Sequence, residues 1–221
     1  MTDLRRPPFL VVPVLAFGMG LSACSGLLRS NQPPVQLYVL QPPQPDPASG
    51  AAASNPAVPR PTLRIARPLP APGLNTDRIA LLRPGLRLDY YAGSRWSAPL
   101  ADVLSDLQVS RFRDDRAWSA VADERTGLNA DYLLQTSIGQ FVAEYTDGTA
   151  PLVRVGLQCL LIRRADATVL GSFAVSEVQQ AQENRMGSVV SAFSAATQRA
   201  LASVVARTDQ LISSARSPAV P

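Results

Sequence analysis

The stretch Leu21-Ser22-Ala23-Cys24 constrains this chain more than any other, because it decides which residues are left to fold. Ahead of it stand Arg5 and Arg6, an apolar run from Phe9 to Leu21, and the small residues Ser22 and Ala23. That charged, apolar, small order is the order of a secretory signal, and a cysteine directly after it reads as the acylation point of a lipoprotein. An uncleaved transmembrane helix is the alternative. However, Phe9 to Ala23 is 15 residues interrupted by Pro13, whereas a spanning helix needs about 20 mostly apolar residues. The sequence therefore divides into a signal peptide over 1–23, a membrane tether over 24–34 beginning at the lipid-attachment residue Cys24, a folded domain over 35–213 and a disordered tail over 214–221. Buried acyl chains contribute about 0.8 kcal/mol per methylene, and two or more anchor stably, so the mature chain should stay on its membrane.

The remainder from Cys24 to Pro221 is 198 residues, enough for one domain with a sizeable core. The chain has 21 basic residues, all arginine, against 17 acidic ones; removing Arg5, Arg6 and Asp3 with the signal leaves a net charge of +3. So small a surplus argues against a nucleic-acid partner. Arg111, Arg113 and Arg116 cluster, but Asp114 and Asp115 lie among them and make a mixed, solvated face. There are two cysteines. With Cys24 acylated, Cys159 has no disulfide partner, and its apolar surroundings make it a small buried hydrophobe. The complete absence of histidine excludes serine–histidine and cysteine–histidine nucleophile pairs and the usual zinc sites. No catalytic residue, cofactor site or metal site is expected.

Along the domain, Val35 to Leu40 reads as a first strand. Seven of the 21 residues from Gln41 to Pro61 are proline, a composition that cannot bury a core and reads as a solvated loop. Thr62 to Arg67 alternates, with Leu63 and Ile65 on one face. Arg78 to Leu82 and Leu86 to Tyr91 read as strands about the Pro84-Gly85 turn. A first helix over about 97–111 follows Trp96, with Ser97 placed to cap it and Pro99 in its first turn. Trp118 to Val121 reads as a short strand. Asp131 to Tyr145 is a long strand in which Gly139 marks a bulge. Val153, Val155, Leu157, Cys159 and Leu161 alternate on one face of the next strand, and Val169 to Val178 completes a meander. A second helix over 186–212 carries an apolar stripe from Val189 to Leu211, with Ser191, Ser194, Gln198, Arg207 and Asp209 on its other faces. A helix lying on a membrane surface would need more basic residues on its polar side, so this one should pack on the sheet. The expected class is α+β, a single domain with a largely antiparallel sheet and two main helices.

With these elements in order, the chain resembles the ABC-type transport auxiliary lipoproteins, the paraquat-inducible C-like lipoproteins that accompany MCE lipid transport systems. The resemblance rests on the acylation box, on Tyr38-Val39-Leu40, on Leu74 to Ala80, on Tyr90-Tyr91-Ala92-Gly93-Ser94-Arg95-Trp96 and on the final helix. Many relatives carry an acidic residue just before the proline of the first helix, where this chain has Ala98. An acidic side chain at a helix N-terminus contributes about 0.3–1 kcal/mol, so the departure touches capping and not function. The resemblance implies a non-enzymatic, periplasm-facing accessory subunit that docks an MCE-domain protein of an ABC system moving phospholipid or other hydrophobic compounds between membranes. The membrane is its other partner, through the acyl chains, and a homo-oligomer is left open. Ser25 favours the outer membrane, by similarity to lipoproteins in which aspartate after the cysteine retains the protein at the inner one.

Arg78, Tyr90, Tyr91, Arg95 and Trp96 are the candidate partner contacts, since aromatic and arginine side chains dominate binding hot spots. Core anchoring by Trp96 and Tyr90, with Arg95 in a local ion pair, is the equal alternative. Two other functions compete: an outer-membrane assembly or envelope-integrity lipoprotein, and a hydrolase using Asp102 and Asp106. These last two stand at i, i+4 spacing, as carboxylates do on many exposed helix faces.

Overall fold

The computed structural model describes residues 34–42, 60–115, 117–146 and 150–216. Cys24, the signal, most of the proline-rich stretch and the Asp147-Gly148 turn lie outside them. From Val35 onward the chain forms one compact unit of two helices and a large mixed sheet, an α+β domain.

Its spine is β7 (Tyr132–Glu144), whose 13 residues exceed the length of the strands that precede it. Three short strands share one flank of β7 in parallel: β2 (Thr62–Ile65), β3 (Leu69–Pro70) and β4 (Arg78–Arg83). Beyond β2 lies β6 (Ala120–Asp123), and beyond β4 lie β5 (Arg87–Trp96) and then β1 (Gln36–Tyr38). The other flank of β7 pairs antiparallel with β8 (Leu152–Arg163), and β8 pairs with β9 (Thr168–Gln180). The long ladders are thus antiparallel, while the short strands join in parallel. The expected meander is β7–β9. The expected hairpin is β4–β5, although β5 runs on to Trp96 through a register shift beside Gly93, whose φ is +64°.

Gly139 does mark a bulge. The β7–β8 register shifts between Ile138 and Gln140, so the buried side chains change from Tyr132, Leu134, Thr136 and Ile138 to Phe141 and Ala143. An extra residue in one strand reverses the pleat from that point on. On β8 all five alternating residues from Val153 to Leu161 are buried.

Helix α1 (Leu100–Asp114) starts later and ends later than the sequence suggests, and Ser97 does not cap it. Its N-terminal boundary is Pro99, with no side-chain cap. The first amide is satisfied across the fold instead, Leu100 N–H donating to Thr76 O at 3.0 Å, which removes the need for a local cap. Helix α2 (Met186–Arg216) packs its stripe of Val189, Val190, Phe193, Ala196, Ala200, Leu201, Val204 and Val205 into the core. It reaches Arg216, past the start of the expected tail. Gly171 of β9 sets the closest approach of sheet and helix: a Cβ there would lie 2.7 Å from Leu211 Cδ2. Two residues assigned to the polar faces of α2 are elsewhere. Ser194 is buried and accepts from Gln41 N–H at 3.3 Å, because the chain leaving β1 crosses over the helix. Asp209 is largely withdrawn from water beside Asp115, and burial with that second carboxylate pushes it up to about 8.

Candidate functional site

The two sequence runs that carry the family resemblance, 74–80 and 90–96, meet at the start of α1. Trp96 N–H donates to Asp77 O at 2.7 Å, Ser97 N–H to Tyr38 O at 2.9 Å, and Arg78 N–H to Thr76 Oγ1 at 3.2 Å. The crossing holds the end of β5 between β1 and the 74–77 loop. Successive side chains of a strand point to opposite faces, so this point sorts the five candidate residues into two groups.

Trp96 and Tyr91 point inward. Trp96 is 2% exposed, its ring edge-on to Phe193 at 5.3 Å and to Phe141 at 5.9 Å, while those two phenylalanines stack at 4.9 Å. Of the two roles open to Trp96, the structure gives it the core one, and it is withdrawn as a partner contact. The Tyr91 hydroxyl lies 2.9 Å from that of Tyr145, which donates to Asn184 Oδ1 at 2.8 Å. Tyr145 spends its proton on Asn184, so Tyr91 donates to Tyr145. Burial, then this hydrogen bond, hold the Tyr91 hydroxyl far above the ordinary tyrosine range. The chain Tyr91–Tyr145–Asn184 ties β5 and β7 to the approach of α2 and holds Tyr91 half-buried against the core.

Arg78, Tyr90 and Arg95 share the outward face. Arg95 is the lateral partner of both Leu37 on β1 and Arg78 on β4. Its Nη1 donates to both carboxylate oxygens of Asp77, at 2.8 and 3.0 Å. This surface pair contributes about 0–1 kcal/mol. The Arg78 guanidinium carbon lies 3.9 Å from the centroid of the Tyr90 ring, a cation–π contact, and Arg78 pairs with no carboxylate among the described residues. Tyr90 is braced from below, its hydroxyl donating to Gly73 O at 2.8 Å. Gly73 has φ +85°, a conformation strained for any residue with a Cβ, and a Cβ there would lie 2.5 Å from Leu88 Cδ2, so the position favours glycine. Next to Arg95 the alternate residues Val35, Leu37 and Val39 are 51%, 65% and 64% exposed. No periodicity marks this row, because Val35 to Leu40 is apolar at almost every position and distinguishes neither face.

Elsewhere, no three of Cys, Asp and Glu converge among the described residues. Asp102 and Asp106 have separate partners: Asp102 pairs with Arg67 at 2.8 Å and Asp106 with Arg125 at 3.2 Å. The Arg67 hydrogen bond holds Asp102 below the ordinary carboxylate value. Cys159 is buried beside Thr136, and burial pushes its thiol up to about 11.

The sequence model of the ABC-type transport auxiliary lipoprotein component family matches residues 38–205. The chain belongs to that family. The match runs from Tyr38, at the end of β1, through most of α2 and includes Arg78, Tyr90 and Arg95. Among solved structures, protein XCC0632 from Xanthomonas campestris shares the fold with a TM-score of 0.67 at 24% identity, covering 81% of this chain and 98% of that one. A second, uncharacterized protein shares it with a TM-score of 0.62 at 14% identity, over 78% and 97% of the two chains. No curated protein matches the sequence. Membership makes this a transport-associated lipoprotein of the cell envelope.

Proposed function

We propose that the protein is a non-catalytic docking subunit, fixed to the outer membrane by acyl chains on Cys24, that holds the periplasmic MCE-domain protein of an ABC system exporting or importing hydrophobic compounds such as phospholipid. The observation that carries this reading is the family match, which spans almost the whole folded body and not one motif within it. Docking is favoured over carriage of lipid by how the apolar strand faces are used. The inward residues of β7 and β8 meet those of α2, with Phe141, Phe193 and Trp96 packed ring to ring. The surface that could have wrapped an acyl chain is filled by the protein's own side chains. ATP hydrolysis belongs to another subunit, since the mature sequence has no glycine-rich phosphate loop of the Walker type.

Affinity capture of the full-length protein from a mild detergent extract, followed by mass spectrometry of the intact complex, tests this. The reading expects an MCE-domain protein in defined stoichiometry. Capture of cell-wall enzymes without any MCE-domain protein would refute it.

A further inference from the structure

We infer that the outward face of β1, β5 and β4 is seated on the headgroup layer of the bilayer that anchors the chain, with Leu37 and its neighbours inserted and Arg78 bound to lipid phosphate. The inference rests on acylation of Cys24. Ten residues, Ser25 to Pro34, separate that cysteine from Val35, a span of roughly 30 Å when extended. The first side chains to emerge from the tether are therefore Val35, Leu37 and Val39, alternate aliphatic residues in and directly flanking the edge strand β1, each at least half exposed. Free in water, such a row is a liability on a sheet edge. At a bilayer it is the apolar part of an interfacial element.

The neighbours complete that chemistry. Among the described residues Arg78 has no carboxylate partner, and the Tyr90 ring fixes one side of its guanidinium at 3.9 Å, leaving its donors for a phosphate oxygen. Tyr90 is itself a residue suited to the headgroup level. Leu88 is exposed two positions before Tyr90, which places it on the same face. The arginine–tyrosine cluster that the sequence suggested as a protein contact is then a lipid contact, and docking falls to the surface turned away from the membrane.

The full-length acylated protein carrying Leu37→Trp is reconstituted into vesicles of phosphatidylethanolamine and phosphatidylglycerol, with and without brominated acyl chains. A control carries Val169→Trp on β9, 54% exposed and on the opposite edge of the sheet. An apolar face lying 5–10 Å deep predicts about a twofold loss, in brominated vesicles, of the emission that Leu37→Trp adds to that of the native Trp96 and Trp118, with the emission added by Val169→Trp unchanged. Val39→Trp repeats the test should Leu37→Trp fold poorly, and Arg78→Gln should weaken the quenching. Equal quenching at positions 37 and 169 overturns the inference while leaving the anchor intact, provided the protein floats with the vesicles. Failure to float sinks the acylation reading and this inference with it. A photo-crosslinker at position 37 that captures a second copy or an envelope protein also overturns it.

Discussion

Two neighbours on β5 should respond very unequally to truncation. Trp96→Ala removes a side chain that is 2% exposed and makes two edge-on ring contacts. Losing the transfer free energy and leaving a cavity costs about 3–5 kcal/mol for a buried tryptophan. Each lost aromatic pair accounts for about 0.5–1.5 kcal/mol beyond area, which places this site in the upper half of that range. Arg95→Ala breaks only a half-exposed pair with Asp77, a loss of about 0–1 kcal/mol. With a urea dependence of about 2–3 kcal/mol per molar for a domain of this size, Trp96→Ala should lower the unfolding midpoint by about 1.3–2.5 M and Arg95→Ala by less than about 0.5 M. Urea titration in detergent, followed by far-ultraviolet circular dichroism, reads both. A Trp96→Ala midpoint within about 0.5 M of the parent would show that the three-ring cluster is not the core it is taken for here.

The Cys159 thiol, pushed up to about 11 by burial, should resist a thiol reagent at pH 8 in the folded protein and react fully in denaturant; rapid labelling of the native state would contradict its burial. Asp209 holds a proton in the folded state up to about pH 8 but releases it near 3.9 when unfolded, so its contribution to stability is full below pH 4 and is lost as pH rises through 8. Asp209→Asn, which stays neutral, should therefore match the parent at pH 4 and exceed it increasingly from pH 6 to 8; a pH-independent difference would rule this out. Gly73→Ala forces a Cβ to within 2.5 Å of Leu88 at a left-handed φ and should cost about 1–3 kcal/mol while freeing Tyr90, seen as a shift in its ring proton resonances; unchanged stability and spectra would mean the loop relaxes.

What could be read in the sequence was what depends on local period. The alternation of Val153 to Leu161 and the 3.6-residue stripe of α2 both survive in the fold, because each repeats long enough to mark one face. The bulge at Gly139 was legible for the same reason, since the apolar residues visibly change sides. The parallel flank of β7 was not, because β2, β3 and β4 meet it across long sequence separations that no local pattern encodes. Ser97 failed as a cap because the carbonyl of Thr76 supplies a tertiary alternative. Ser194 and Asp209 were misplaced by the polarity of their side chains, when one has a buried donor from Gln41 and the other shares its site with Asp115. At the candidate site, residue type picked out Arg78, Tyr90 and Arg95, but it could not separate them from Tyr91 and Trp96. That sorting is a matter of strand parity, and the bulge in β5 sets it.

Everything assigned to the surface of this protein depends on where its mature chain begins and what that first residue carries. The intact mass of the protein purified from its own membrane measures this directly. The account predicts a chain that starts at Cys24 and carries the added mass of acyl groups, and a Cys24→Ala form that leaves the membrane fraction. A mature protein that keeps residues 1–23, or a Cys24→Ala form that fractionates like the parent, would contradict it.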